Sequence, residues 1–342
     1  MSKRNGIIFL ALLILGAVTI YLVKTSGPGS VAQELRDFAY TDTAGIDKIF
    51  LADKTGKKVT LVRNANGTWT LNEKFIARQD AINNLLTTAY NLSVREPVGA
   101  KARENIVKSL ITGSIKCELY SGGEMKRLYY VGGETPDMLG TYMLLADPET
   151  GVNSSEPFVM EIKGLNGYLT TRYSPDEKEW RDKAAFQYYV PDIRSIKVEH
   201  SEYPNESFVV TQSPSMQYNL QSADGKSLPF DTAQVRQFIS YFIRLGFTEF
   251  HNEYSKKDSV LASQPVHIIT VMDASGSKNT IRFYHKSGSG VEGADTAQAG
   301  PTYDVDNMWA SVNDGKDFVL VQYYVFGKLM QTPAYFARRP EQ

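Results

Sequence analysis

The strongest constraint on the fold is that the chain repeats itself. Glu34, Arg36, Asp37 and Ala39 recur as Glu179, Arg181, Asp182 and Ala184, four identities at an offset of 145, with Leu35 answered by Trp180. Ile46, Ile49 and Leu51 map onto Ile193, Ile196 and Val198 at 147, and Val59, Leu61, Trp69 and Leu71 onto Phe208, Val210, Tyr218 and Leu220 at 149. Ile82, Leu85, Leu86, Ala89 and Leu92 answer Val235, Phe238, Ile239, Phe242 and Leu245 at 153, spaced as one apolar helix face. Leu128 and Tyr130 match Ile281 and Phe283 at 153, and Thr141 and Tyr142 match Thr302 and Tyr303 at 161. Phe158 and Val159 match Phe318 and Val319 at 160, as do Gly167 and Leu169 with Gly327 and Leu329. Order kept over such a length implies two copies of one module.

Each copy reads as two or three short strands, a helix, four more strands and a final short helix or turn. Turn residues fall between the strands at Asp53 and Gly56, Asn64 and Gly67, Gly122 and Gly123, and Asp273 and Gly276. Tight turns can join only antiparallel neighbours, because a parallel crossover needs a dozen or more residues. The fold class expected is therefore α+β: an N-terminal transmembrane helix followed by two tandem homologous modules, each an antiparallel sheet plus helix. The expected boundaries are 1–24 for a cytoplasmic tip and anchor, 25–33 for a linker, 34–175 for the first module and 176–342 for the second. With 20 Tyr, 16 Phe and 3 Trp the modules have ample material for a core.

Residues 7–23 carry no charge, and Ile7, Phe9, Leu13, Val18 and Val23 are typical of the run. As a helix it would cover about 25 Å, close to the bilayer's hydrocarbon core. Lys3 and Arg4 in front of it favour a cytoplasmic N-terminus, which places the rest of the chain in the periplasm of a bacterial inner membrane as a single-pass protein. A cleaved signal peptide is the competing reading, but its apolar stretch is usually shorter and Thr25, Ser26 and Gly27 make a poor cleavage site. Outside the flanking Lys3, Arg4 and Lys24, acidic residues slightly outnumber basic ones, which argues against nucleic acid as a partner. The single cysteine, Cys117, permits no intrachain disulfide and alternates with Ile115 and Leu119 as a strand's buried residue would.

The uncharged segment, the Ile46 to Ile49 and Ile193 to Ile196 strand openings, Trp69 and Leu71, the helix face from Ile82 to Leu92, and Arg181, Asp182 and Lys183 before the second copy together resemble one bacterial family. It is the envelope family called domain of unknown function 4340. The resemblance spans nearly the whole exported region and implies association with gliding-type ABC transport systems, without supplying catalytic residues. No nucleotide-binding loop of the G-x-x-x-x-G-K-[ST] type is present, so the chain would not be the ATPase of such a system.

Candidate chemical motifs are few. Gly288, Gly290 and Gly293 fit G-x-G-x-x-G, but the following residues lack a helical period, so a strand-connecting loop is expected and no nucleotide. His200, His251, His267 and His285 lack metal-ligand spacing; His267 and His285 could approach across neighbouring strands, and structural imidazoles are the expected reading. Asp304, Asp306 and Asn307 resemble a calcium loop without its glycine and distal glutamate, hence a strand end. Arg36 with Asp37 and Arg181 with Asp182 are read as structural pairs at the start of each repeat. Tyr129 and Tyr130, Tyr188 and Tyr189, and Tyr323 and Tyr324 should each split between core and surface. Asp42, Asp231 and Asp295, each followed by Thr and Ala, resemble an envelope O-glycosylation acceptor, although Asp231 also suits a helix cap.

No G-x-S-x-G elbow or other catalytic constellation is legible, so no catalytic residue, metal or cofactor is expected. The reading that follows is a noncatalytic envelope protein, held to the lipid bilayer through 7–23 and bound to other membrane or envelope proteins as an accessory or scaffold of an ABC-type export or gliding-associated complex. The alternatives are an envelope enzyme acting on glycan or peptide, or a small-ligand binding module, with a site expected between the two repeats.

Overall fold

The computed structural model describes residues 37–154, 156–288 and 303–337. The anchor segment 7–23, with Ile7, Phe9, Leu13, Val18 and Val23, lies outside the described residues, as do Arg36 and most of the glycine motif. Among the described residues no helix is long and apolar enough to cross a membrane. The chain forms two compact units that divide between Asp182 and Lys183.

The first unit contains β1 (Lys48–Ala52), β2 (Lys58–Arg63), β3 (Trp69–Leu71), β4 (Phe75–Ile76), α1 (Gln79–Asn91), β5 (Leu92–Pro97), α2 (Ala100–Gly113), β6 (Ile115–Ser121), β7 (Glu124–Glu134), β8 (Thr141–Ala146), β9 (Phe158–Ile162) and the single turn α3 (Glu177–Trp180). The second contains β10 (Ala184–Phe186), β11 (Ile193–His200), β12 (Phe208–Gln212), β13 (Tyr218–Ser222), α4 (Thr232–Ser240), β14 (Leu245–Gly246), β15 (Glu249–Phe250), α5 (Lys257–Ala262), β16 (His267–Asp273), β17 (Lys278–Ser287), β18 (Tyr303–Val312), β19 (Asp317–Gln322) and α6 (Tyr323–Phe326).

The strand order of the first sheet is β4-β3-β2-β1-β6-β7-β8-β9-β5, and that of the second is β13-β12-β11-β16-β17-β18-β19-β15. The orders correspond strand for strand, with β4 added at one edge of the first. In both, a strand that follows the helix lies at the far edge, β5 directly after α1 and on β9, β15 after the short β14 and on β19, all antiparallel. Period-two alternation explains why these segments become strands. Ile49 and Leu51 of β1 point to the core and pair with Leu61 and Val59 on one side and Leu119 and Cys117 on the other. Ile196 and Val198 of β11 do the same with Val210 and Phe208, and with Val271 and Ile269. All twelve side chains are buried. One helix covers each such face: Ile82, Leu85 and Ala89 of α1, and Val235, Phe238 and Ile239 of α4. The second core is the more aromatic, with Phe208, Phe238, Phe242 and Phe336 packed edge to face at centroid distances of 5.1–5.7 Å.

These sheets correct the α+β expectation of a transmembrane helix followed by sheet-plus-helix modules. Among the described residues the protein is mostly β-sheet, 40% strand against 24% helix, in three antiparallel sheets counting the small β10-β14 pair. The apolar helical period overshoots the helices: α1 stops at Asn91 and α4 at Ser240, so Leu92 and Leu245 open strands rather than closing helix faces. Short apolar runs carry no periodicity that separates a helix end from an edge strand.

The repeat register also changes along the sheet. The offsets 147 and 149 agree with the strand pairings, but Cys117 opposite Tyr129 and Ile269 opposite Ile281 set the β7–β17 offset at 152. Tyr129 and Val131, rather than Leu128 and Tyr130, therefore face the first core. In the next strands Met143 corresponds to Ala310 and Phe158 to Val319, offsets of 167 and 161. A slip of one residue inverts every side chain, so hydrophobic identity without pairing cannot fix it.

Ile49→Ala and Ile196→Ala should each cost about 2–5 kcal/mol, whereas Lys58→Ala on the exposed side of β2 should stay within about 0.5 kcal/mol. Guanidinium denaturation of each variant checks this.

Candidate functional site: a histidine cluster at one end of the second sheet

His200 is the last residue of β11 and His267 the first of β16, directly opposite one another. Both continue the inward alternation, after Ile196 and Val198 in one strand and before Ile269 and Val271 in the other. They are 1% and 8% exposed. Their Nδ1 atoms lie 2.8 Å apart, and His200 Nε2 is 2.8 Å from the Gln331 carbonyl oxygen. A carbonyl only accepts, so His200 Nε2–H donates to Gln331. The neutral His200 Nδ1 is then an acceptor, and His267 Nδ1–H donates to it. One hydrogen-bond relay thus runs from β16 through β11 to the C-terminal segment.

Tyr203 stacks on His200 with centroids 4.8 Å apart, while Ser207 Oγ accepts the His200 backbone N–H at 2.9 Å. On β17, His285 stacks on Tyr303 at 3.8 Å and its Nε2 lies 3.1 Å from Glu202 Oε1. Lys286 pairs with Asp304 at 2.6 Å. Burial holds both His200 and His267 below the ordinary imidazole range. His267 is pushed down to about 4, its burial reinforced by the charge His200 would carry. The Lys286 hydrogen bond holds Asp304 down at about 2. A first proton can be absorbed by shifting the His267 proton to Nε2. A second sets two Nδ1–H groups face to face and breaks the relay.

The remaining sequence candidates are dispersed. Asp37 pairs with Arg127 of β7 at 2.7 Å. Arg181 and Asp182 sit at the end of the first unit: the Arg181 guanidinium lies 3.8 Å from the Phe75 ring centroid, Arg181 bridges Ala77, and the Asp182 N–H donates to the Ile76 carbonyl. The structure does not bring Asp37 and Asp182 to equivalent places. Phe38 occupies the position of Phe186, because Tyr40 N–H donates to Ala89 as Tyr188 N–H does to Phe242. Asp304 accepts the backbone N–H groups of Asp306 and Asn307 at the start of β18. Cys117 lies in the first core beside Tyr129 and Tyr173, and burial pushes its thiol up to about 12. Asp42 and Asp231 cap the turns that follow them, and Asp295 lies outside the described residues. Tyr129 is buried and Tyr130 half-buried, whereas Tyr189 and Tyr324 are 80% and 95% exposed.

Sequence spacing pairs His267 with His285 and leaves out His200. The signal that identifies the true pair is the alternation Ile196, Val198, His200 against His267, Ile269, Val271, which puts both imidazoles on the core side. Among the described residues no three His, Cys, Asp or Glu converge as a metal site. No protein-family model, curated protein or solved structure matches the chain significantly.

Because the folded histidines bind protons more weakly than the unfolded ones, unfolding takes up protons between the ordinary imidazole value near 6.5 and about 4. The second unit should be most stable above about pH 6.5 and lose stability progressively as the pH falls toward 4. His267→Gln should flatten that slope. Melting temperatures of both proteins across this range test it.

Proposed function

We propose that the chain is a noncatalytic envelope protein that stays in the bacterial inner membrane through residues 7–23 and presents its two sheet units to other membrane or envelope proteins in the periplasm. The observation that carries this reading is how the potentially reactive side chains are engaged. His200 and His267 hold the C-terminal segment, His285 and Lys286 meet Glu202 and Asp304, and Cys117 is core. Such groups hold a fold together.

The uncharged run behind Lys3 and Arg4 supports membrane attachment with the N-terminus in the cytoplasm. Exposed aromatics such as Tyr189 and Tyr324 support protein contact, since tyrosines are enriched where partners dock. The resemblance to the gliding-associated envelope family supports an accessory or scaffold role in an ABC-type export assembly.

Extraction of the full chain in mild detergent, followed by affinity purification, should recover membrane-protein partners in fixed proportion. Recovery of the chain alone in several detergents would contradict the proposal. In spheroplasts, added protease should degrade the region after residue 24; protection of that region would reverse the assigned topology.

A further inference from the structure

The first unit carries a groove of about 500 Å³ between α1 and the turn Thr43–Gly45, lined by Thr43, Ala44, Arg63, Asn83, Leu86 and Tyr90 among others. Its volume lies within the range of small-molecule sites, roughly 300–1,000 Å³. Arg63, at the end of β2, is held firmly beside it. Nη1 donates to the Ala44 carbonyl, Nη2 donates to the Thr43 carbonyl at 3.3 Å, and the guanidinium lies 5.0 Å from the Trp69 ring centroid. Those two bonds use two of five N–H groups. Arg63 forms no ion pair with any described residue. The acid of the adjoining turn, Asp42, accepts the Gly45 N–H at 3.1 Å.

The second unit shows what this position needs structurally. Arg63 opposes Trp69 as Gln212 opposes Tyr218, and the Gln212 amide ties the same preceding turn, donating to the Val190 carbonyl at 2.8 Å and the Ile193 carbonyl at 3.2 Å. A neutral amide therefore suffices to tie turn to strand. The charge in the first unit exceeds that role, and it borders an open groove.

We propose that this groove binds a small organic carboxylate, the oxyanion on the Arg63 N–H groups that no described residue accepts and the apolar body against Leu86 and the half-exposed Tyr90. A planar guanidinium fork matches a carboxylate by two parallel hydrogen bonds, and a fork already fixed by Trp69 and two carbonyls loses little freedom on binding. Asn83, Thr87 and Asn91 give the groove amides and a hydroxyl for neighbouring polar groups. This site lies beyond the scaffold reading, which stands or falls separately.

The test is a titration of the ¹⁵N-labelled region after residue 24 with benzoate, phenyl phosphate and benzamide, followed by NMR. Benzoate should produce saturable shifts at Arg63 Nε–H and the Asn83 and Asn91 amides, weakening as salt is raised, while the uncharged benzamide should leave them unmoved. Arg63→Gln, which places the second unit's amide at the equivalent position, should keep the melting temperature and weaken benzoate binding about tenfold or more. Absence of saturation, equal shifts with benzamide, or unaltered benzoate binding by Arg63→Gln would each overturn the proposal. Tighter binding of phenyl phosphate would replace the carboxylate with a phosphate ligand and so overturn the assigned class.

Discussion

Both units depend on one packing constraint: a central strand whose inward residues are flanked on both sides by inward residues of antiparallel neighbours. Ile49 and Leu51 fill that place in the first unit, Ile196 and Val198 in the second. Fully burying such side chains is worth about 1.5–3 kcal/mol each relative to exposure. That gain is available only if a helix closes the face. The apolar sides of α1 and α4 meet this requirement.

The sequence shows the part of this that rests on strict alternation. Ile49 and Leu51, Val59 and Leu61, and Trp69 and Leu71, like Ile196 and Val198, Phe208 and Val210, and Tyr218 and Leu220, stand two apart within their strands, and their correspondence survives in the pairings. Later in the repeat the signal fades. Leu128, Tyr129, Tyr130 and Val131 are all apolar or amphipathic, and only the pairing of Cys117 with Tyr129 decides which two face inward. Leu92 and Leu245 continue a helical spacing by coincidence while opening strands.

The chemical groups are less legible still, because convergence in space leaves little trace in spacing. His200 and His267 are 67 residues apart and meet through one cross-strand pair. Arg63 and Gln212 differ in charge, yet as N–H donors they perform one structural task in the two units. That comparison reveals the surplus charge at the first position. Because the two sheets share one strand order, each unit acts as a control for the other: what both units show at a corresponding position answers a need of the fold, and what one unit adds is open to function.

Native-state hydrogen exchange of the region after residue 24 measures most directly, amide by amide, whether two equivalent strand sets form the two cores. The slowest exchange is expected in β1, β2, β6 and β7 and, at equivalent positions, in β11, β12, β16 and β17. Slow exchange confined to one unit, or β11 and β16 exchanging as fast as the edge strands β4 and β15, would contradict it.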